Sequence, residues 1–360
     1  MTSNNIIHLK NSLDQMFKVN FQRKPHEFIL FVSDFAEEYM LENIPQSKFN
    51  EIKARNEYTK KLFNITKELY GDKFVKMGEF PSVLQSGLDA PQYVAEELKK
   101  CDIFIIPTTF SLTHTNTRMQ ATEAGARGAT LPAFEPYMFD INGSMTADYS
   151  QITKEIIKGM EFISRKNPNK SKKVHITSKA GTNLTLKIME GSRKLKDDNG
   201  LYTEKGSFGN LPAGEIFTAP MEGIASGTMV IENGWTVRAL EGENLTFKFK
   251  DGLLVSLSGA KDSFLDLVDL NPKKKSEEDP KLIKTRRNVA ELGIGMNPKA
   301  THYESVLEGE KIKGTCHIAI GTNKFFGGNI LSDIHLDFII NKPTILIENE
   351  VFMENGKFAF

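Results

Sequence analysis

A polar stretch, Ser164-Arg-Lys-Asn-Pro-Asn-Lys-Ser-Lys-Lys173, separates two parts of the chain that follow different hydrophobic periods. Before it, apolar residues recur at helical spacing near residues 4–19 and 47–70. Short continuous apolar runs, Phe28-Ile-Leu-Phe-Val32 and Asp102-Ile-Phe-Ile-Ile-Pro107, stand among the helical stretches. Runs of that kind are covered on both faces, the pattern of helices packed around a parallel sheet. After the polar stretch come short β-type runs, Val174-His-Ile-Thr, Leu184-Thr-Leu-Lys-Ile, Thr228-Met-Val-Ile, Leu245-Thr-Phe-Lys-Phe and Leu253-Leu-Val-Ser-Leu. Glycine and Asx residues punctuate them, as in antiparallel hairpins. The expectation is an α/β domain with a mostly parallel sheet over residues 1–168, and a largely antiparallel α+β domain over residues 169–360.

Lysine plus arginine equal aspartate plus glutamate at 46 each, so the formal net charge is zero. That balance argues against nucleic acid or a membrane surface as partner, since either favours a basic excess. Two cysteines, Cys101 and Cys316, make no disulfide framework and suit a reducing compartment. The N-terminus lacks a basic start and apolar run, and no stretch approaches roughly 20 uninterrupted apolar residues, so a cytoplasmic protein is expected. No Gly-x-Gly-x-x-Gly follows a strand and no P-loop occurs. In Ser111-Leu-Thr-His-Thr115, after an apolar strand, His114 and Arg118 lie about one helical turn apart and could meet an anion together. Alternatively, Ser111 or Thr113 simply caps the helix that follows.

The residues that suggest chemistry lie near the C-terminus. In His335-Leu-Asp-Phe-Ile-Ile340 a strand period of two turns His335 and Asp337 to one face and Leu336 and Phe338 to the other. A carboxylate beside an imidazole on an apolar strand is expensive to bury without a counter-charge, which a divalent cation would supply. In Cys316-His-Ile-Ala-Ile-Gly321, His317 is the polar group of its face, and alternation turns Cys316 away into the core. Glu291 is a charge inside apolar, glycine-rich Val289-Ala-Glu-Leu-Gly-Ile-Gly295, with nothing local to neutralise it. Glu215 follows a turn in Leu211-Pro-Ala-Gly-Glu-Ile-Phe217, and Glu310, taken alone, reads as a surface residue. Such an oxygen-rich set with two histidines suits one or two divalent ions, zinc, cobalt or manganese.

These segments, Pro212-Ala-Gly-Glu-Ile-Phe-Thr-Ala-Pro220, Ala290-Glu-Leu-Gly-Ile-Gly295, Gly314-Thr-Cys-His-Ile-Ala-Ile-Gly321 and His335-Leu-Asp337, together resemble the thermophilic metallo-aminopeptidases of the aminopeptidase T and aminopeptidase S group. The Ser111–Thr115 loop with Arg118 and Gly125-Ala-Arg127 is similar to them as well. The resemblance implies a two-domain, homodimeric exopeptidase acting on peptides, with two divalent metals, zinc first. Glu215, Glu291, Glu310, His317, His335 and Asp337 would be the ligands, with Glu291 bridging. A metal-held hydroxide would attack the scissile carbonyl, with Glu310 or Glu291 moving the proton. Where that family has a tyrosine seven residues after the first histidine, this chain has Lys324, which would either serve as electrostatic stabiliser or be simply an exposed loop lysine beside Phe325-Phe-Gly-Gly328.

A fold relative of that family resembles the 2,5-dihydroxypyridine dioxygenases, in which two histidines and an aspartate hold a single iron. Ring cleavage at one iron is therefore the competing expectation, set second because the extra glutamates, Glu215, Glu291 and Glu310, would then have no work. A metal-binding homologue with weak or no peptidase activity is the third.

Overall fold

The computed structural model describes residues 3–165, 170–274 and 276–360. The chain divides into two compact units, Met1–Gln151 with Asp198–Ala213, and Ile152–Asp197 with Gly214–Phe360. Residues 166–169 of the expected linker, and Lys275 of the charged segment after Asn271, lie outside the described residues.

The first unit holds a parallel sheet of five strands in the order Val75–Pro81, Ile29–Phe35, Ile103–Ile106, Arg127–Thr130, Phe208–Asn210. Ile103–Ile106 is apolar throughout because both its faces are covered. On one face Phe104 and Ile106 join a core with Val94 and Leu98 of helix Gln92–Leu98 and Ala121 of helix Asn116–Glu123. On the other, Phe31 meets Phe17 and, from helix Gln46–Tyr70, Phe63, each edge-on with ring centres 6.4 and 6.3 Å away. That long helix stops where Gly71 takes φ 90° and its N–H returns to the Lys67 carbonyl. A 3-10 turn, Asp72–Phe74, then delays the next strand to Val75. Helix Asn116–Glu123 is capped by Thr115, whose hydroxyl accepts from the Arg118 N–H, and not by Ser111 or Thr113.

The second unit is built on antiparallel pairing. One sheet has eight strands, among them Asn183–Ile188, Ser226–Ile231, Leu245–Lys250 and Leu253–Ser258. In the other, His335–Ile340, Cys316–Gly321, Val289–Gly295 and Glu215–Thr218 run side by side. Phe338 sets the orientation of its strand: its ring lies 4.7 Å from that of Phe247 and stacks on Phe264 at 5.5 Å. Burying that aromatic side commits His335 and Asp337 to the opposite face. Among the described residues the fold is thus mixed α/β, one parallel sheet and two antiparallel ones. Among the described residues no helix is long and apolar enough to cross a membrane.

Candidate metal centre

Val289–Gly295 is buried along its whole length, with Cys316–Gly321 on one side and Glu215–Thr218 on the other. Pairing sets Glu291 opposite Ala319, and Ala319 opposite Asp337 on the next strand. Gly293 faces His317, Gly321 faces His335, and Gly295 faces Glu215. Directly opposed residues of antiparallel strands share a face, with Cβ atoms about 4.5–5.5 Å apart. Each of these polar side chains therefore has a glycine or alanine as cross-strand neighbour, and the missing bulk is the volume in which they meet. A Cβ on Gly293 would lie 2.0 Å from Cε1 of the His317 ring.

The side chains converge. His335 Nε2 lies 3.1 Å from Glu291 Oε2 and 3.4 Å from Asp337 Oδ1. His317 Nε2 lies 3.5 Å from Glu291 Oε1, 3.8 Å from Glu215 Oε2 and 3.9 Å from Asp337 Oδ1. One ligand atom each from Glu291, His335 and Asp337 falls within 4.8 Å of the others. A divalent ion bonded at about 2.0–2.2 Å to oxygen and nitrogen spans ligand atoms up to roughly 4.4 Å apart, so this trio closes on an ion with small rotations. His335 Nδ1 is 2.8 Å from the Thr322 carbonyl, which can only accept; the ring therefore donates there and presents Nε2 to the cluster. Among the described residues, Glu215 Oε2, His317 Nδ1 and Asp337 Oδ1 are buried without a hydrogen-bond partner. Orphaned buried acceptors cost about 1–3 kcal/mol each, and a bound cation is a way to relieve the two carboxylates.

Glu310 lies just past the short helix Val306–Gly309. Far from being a surface residue, it is folded into this cluster beside Lys311 and in hydrogen-bond contact with Asp337. Lys311 itself is 1% exposed, ion-paired to Glu215 and 3.6 Å from Glu310 Oε2. It had no role in the sequence reading, which gave the stabilising cation to Lys324. Lys324 is exposed on the turn Lys324–Phe326, so the lysine among the carboxylates is Lys311. In the first unit, Arg118 does not turn outward with His114. It is buried, donating to the Thr113 carbonyl at 2.9 Å and the Thr122 hydroxyl at 3.1 Å, its guanidinium 3.6 Å over Phe208.

Burial alone would raise the Glu291 carboxyl, but hydrogen bonds from His317 and His335 outweigh it and hold the group at about 2. Burial alone would lower His317; its bond to Glu291 and the charges of Glu215, Asp337 and Glu310 instead push it up to about 9. Against the same opposition, Asp337 and Glu291 raise His335 well above the ordinary histidine value. Burial is likewise opposed at Asp337, where His335 and then His317 pull the carboxyl far below the usual range. Glu310 goes the other way: burial first, then the neighbouring Asp337 charge, lift it well above a normal carboxylate.

The sequence model of the 2,5-dihydroxypyridine 5,6-dioxygenase family, NicX, matches residues 52–360. The chain belongs to this family. A NicX relative, the 2,5-dihydroxypyridine 5,6-dioxygenase of Pseudomonas putida KT2440, is 22% identical over 198 residues, covering 52% of this chain and 54% of that protein. The match thus spans about half the length of the curated relative. The solved structure of 2,5-dihydroxypyridine dioxygenase from the same strain covers 98% of this chain and 97% of its own at a TM-score of 0.72 and 16% identity. Wild-type AmpT from Thermus thermophilus, aminopeptidase-like in fold, covers 98% and 99% at a TM-score of 0.62 and 11% identity.

The NicX match overturns the aminopeptidase expectation, and with it the hydrolase, metallo-exopeptidase and peptide-substrate readings. What that resemblance captured is the fold, which AmpT shares. The carboxylates and histidines that carried it are ligand types that hold a metal for hydrolysis or for oxygen chemistry equally well.

In Gly293→Ala the backbone tolerates the change but the His317 ring must move. Overpacking of this kind costs about 1–3 kcal/mol, so divalent-metal affinity is expected to fall about tenfold or more with the far-UV spectrum unchanged. Unaltered affinity by titration calorimetry would remove His317 from the centre.

The histidine shifts fix the pH behaviour of the metal-free protein. Their stabilisation is complete below the ordinary histidine value of 6.5 and is lost as pH rises through about 9 for His317. Glu291 stabilises above 4.5, and that contribution is lost as pH falls toward about 2. At neutral pH the imidazoles hold protons that an incoming ion must displace. Calorimetry in buffers of different ionisation enthalpy should therefore show proton release on metal binding, and affinity rising with pH toward 9. Buffer-independent heats would contradict the assignment.

Proposed function

We propose that this protein is an iron-dependent dioxygenase that opens the ring of a hydroxylated pyridine of the 2,5-dihydroxypyridine kind. The observation that carries the reading is the NicX match over residues 52–360, which takes in every residue of the cluster. Glu291, His335 and Asp337 would hold the ion, with His317 beside them as a second imidazole. Two carboxylates and two imidazoles are hard and borderline donors, suited to iron(II).

Iron(II) bound there would supply the one-electron chemistry that lets dioxygen react with an aromatic ring. Both oxygen atoms then enter the product as the ring bond breaks, so no external reductant is consumed. The protein's own groups have distinct tasks. The Thr322 carbonyl fixes the tautomer and direction of His335. Phe326 meets the His335 ring edge-on at 5.7 Å and limits its rotation. Glu291, at about 2, is too weak a base to take a proton at neutral pH. Glu310, whose carboxyl burial and the Asp337 charge raise above the ordinary range, is the better placed of the two to exchange a proton with the substrate hydroxyl. Glu215 and Glu310, which the ring-cleaving reading had left idle, are engaged by Lys311.

The chain, loaded anaerobically with iron(II), is expected to consume dioxygen and 2,5-dihydroxypyridine one for one, followed by an oxygen electrode and loss of the ring absorbance. His335→Ala should abolish both signals. An iron-loaded protein that consumes no dioxygen with this substrate or its ring-hydroxylated analogues would refute the proposal.

A further inference from the structure

The acidic cluster holds more carboxylates than one divalent ion balances, and it carries its own cation. We infer that Lys311 stands where a second divalent ion would bind, and so restricts the centre to a single ion. The inference rests on the cluster being a metal centre and is independent of ring cleavage.

The cluster has two sides. On one, Glu291, His335 and Asp337 offer ligand atoms within 4.8 Å of one another. On the other, Glu215 and Glu310 face the Lys311 ammonium, the first ion-paired to it and the second 3.6 Å away. His317 lies between, 3.8 Å from Glu215 and 3.5 Å from Glu291. A second ion bridged by Glu291 to the first would draw on Glu215, Glu310 and His317, and the first two are already committed to the ammonium. Like charges at that separation in a buried setting exclude each other.

Lys311 is not free to leave. At 1% exposure it is enclosed, its N–H donates to the Glu308 carbonyl at 2.9 Å, and its own carbonyl accepts from Asn297 N–H at 2.8 Å. Swinging the ammonium elsewhere would strand a charge in the interior and leave Glu215 and Glu310 uncompensated. Removing it by substitution leaves two buried carboxylates facing a space where an ammonium had been. The ready neutraliser in a metal-containing solution is a second ion of the kind already bound.

The test is to count ions. Metal-free chains are loaded with manganese(II), freed of excess ion, and analysed for metal per chain and by electron paramagnetic resonance. Wild type and Lys311→Arg should each hold one ion with the spectrum of an isolated manganese. Lys311→Ala and Lys311→Met should each hold two, with the exchange-coupled spectrum of a pair. Two ions in the wild type, or one ion in both folded lysine variants, overturns the inference. Should neither variant fold, the wild type titrated to large manganese excess decides: an isolated signal throughout is expected, and a coupled pair overturns the assignment. No bound ion in any form would remove the metal centre itself, a failure distinct from two ions in the wild type.

Discussion

Burying like charges in a β-sheet is the constraint to which the second unit is fitted. Four carboxylates, Glu215, Glu291, Glu310 and Asp337, lie within reach of one another. Left unpaired, any of them would unfold the region or take up a proton. They instead form a closed circuit in which cations and carboxylates mostly alternate: Lys311, Glu215, His317, Glu291, His335, Asp337, Glu310 and back to Lys311. The single break in alternation is the contact of Asp337 with Glu310, and there burial and the Asp337 charge raise the Glu310 carboxyl. Removing a partner from such a circuit is costly because the charge left behind stays buried.

The circuit needs room as well as charge balance, and the strand register provides it. Ala319 separates Glu291 from Asp337, while Gly293, Gly295 and Gly321 face His317, Glu215 and His335. The same strands turn their other side to an aromatic core through Phe338 with Phe247 and Phe264. Packing on one face thus holds the polar face open. The two requirements meet in period-two sequence: large apolar residues on one side, and on the other alternate small residues and ligands. This separation gives a ready account of why one fold can appear both in a pyridine dioxygenase and in AmpT. The sheet supplies the volume, and the side chains within it set the chemistry.

Much of this was legible in the residues themselves. Period two placed His335 and Asp337 on one face and sent Cys316 to the core, where it is buried. The apolar run before Pro107 marked the parallel sheet. Glu291, a charge in an apolar run with nothing nearby to neutralise it, proved to be the hub between both histidines. The rest depended on pairing across strands, which local sequence does not carry. Gly293-Ile-Gly295 has no local signature of its role, which is to leave the gaps facing His317 and Glu215. Glu310 looked like surface charge because only tertiary folding encloses it, and the neighbouring Lys311, 1% exposed, drew no reading at all. The choice of aminopeptidase over dioxygenase, which the family match overturns, rested on glutamates that had no work at a single iron, and the contacts of Glu215 and Glu310 with Lys311 arise only in the folded chain.

The account stands on one ion seated among Glu291, His335 and Asp337. Anomalous diffraction collected on both sides of the iron absorption edge, from crystals grown anaerobically with iron(II), locates it directly. The expected map has a single peak within bonding distance of those three side chains, with Lys311 still against Glu215. A second peak between Glu215 and Glu310, or a peak only outside the circuit, would contradict it.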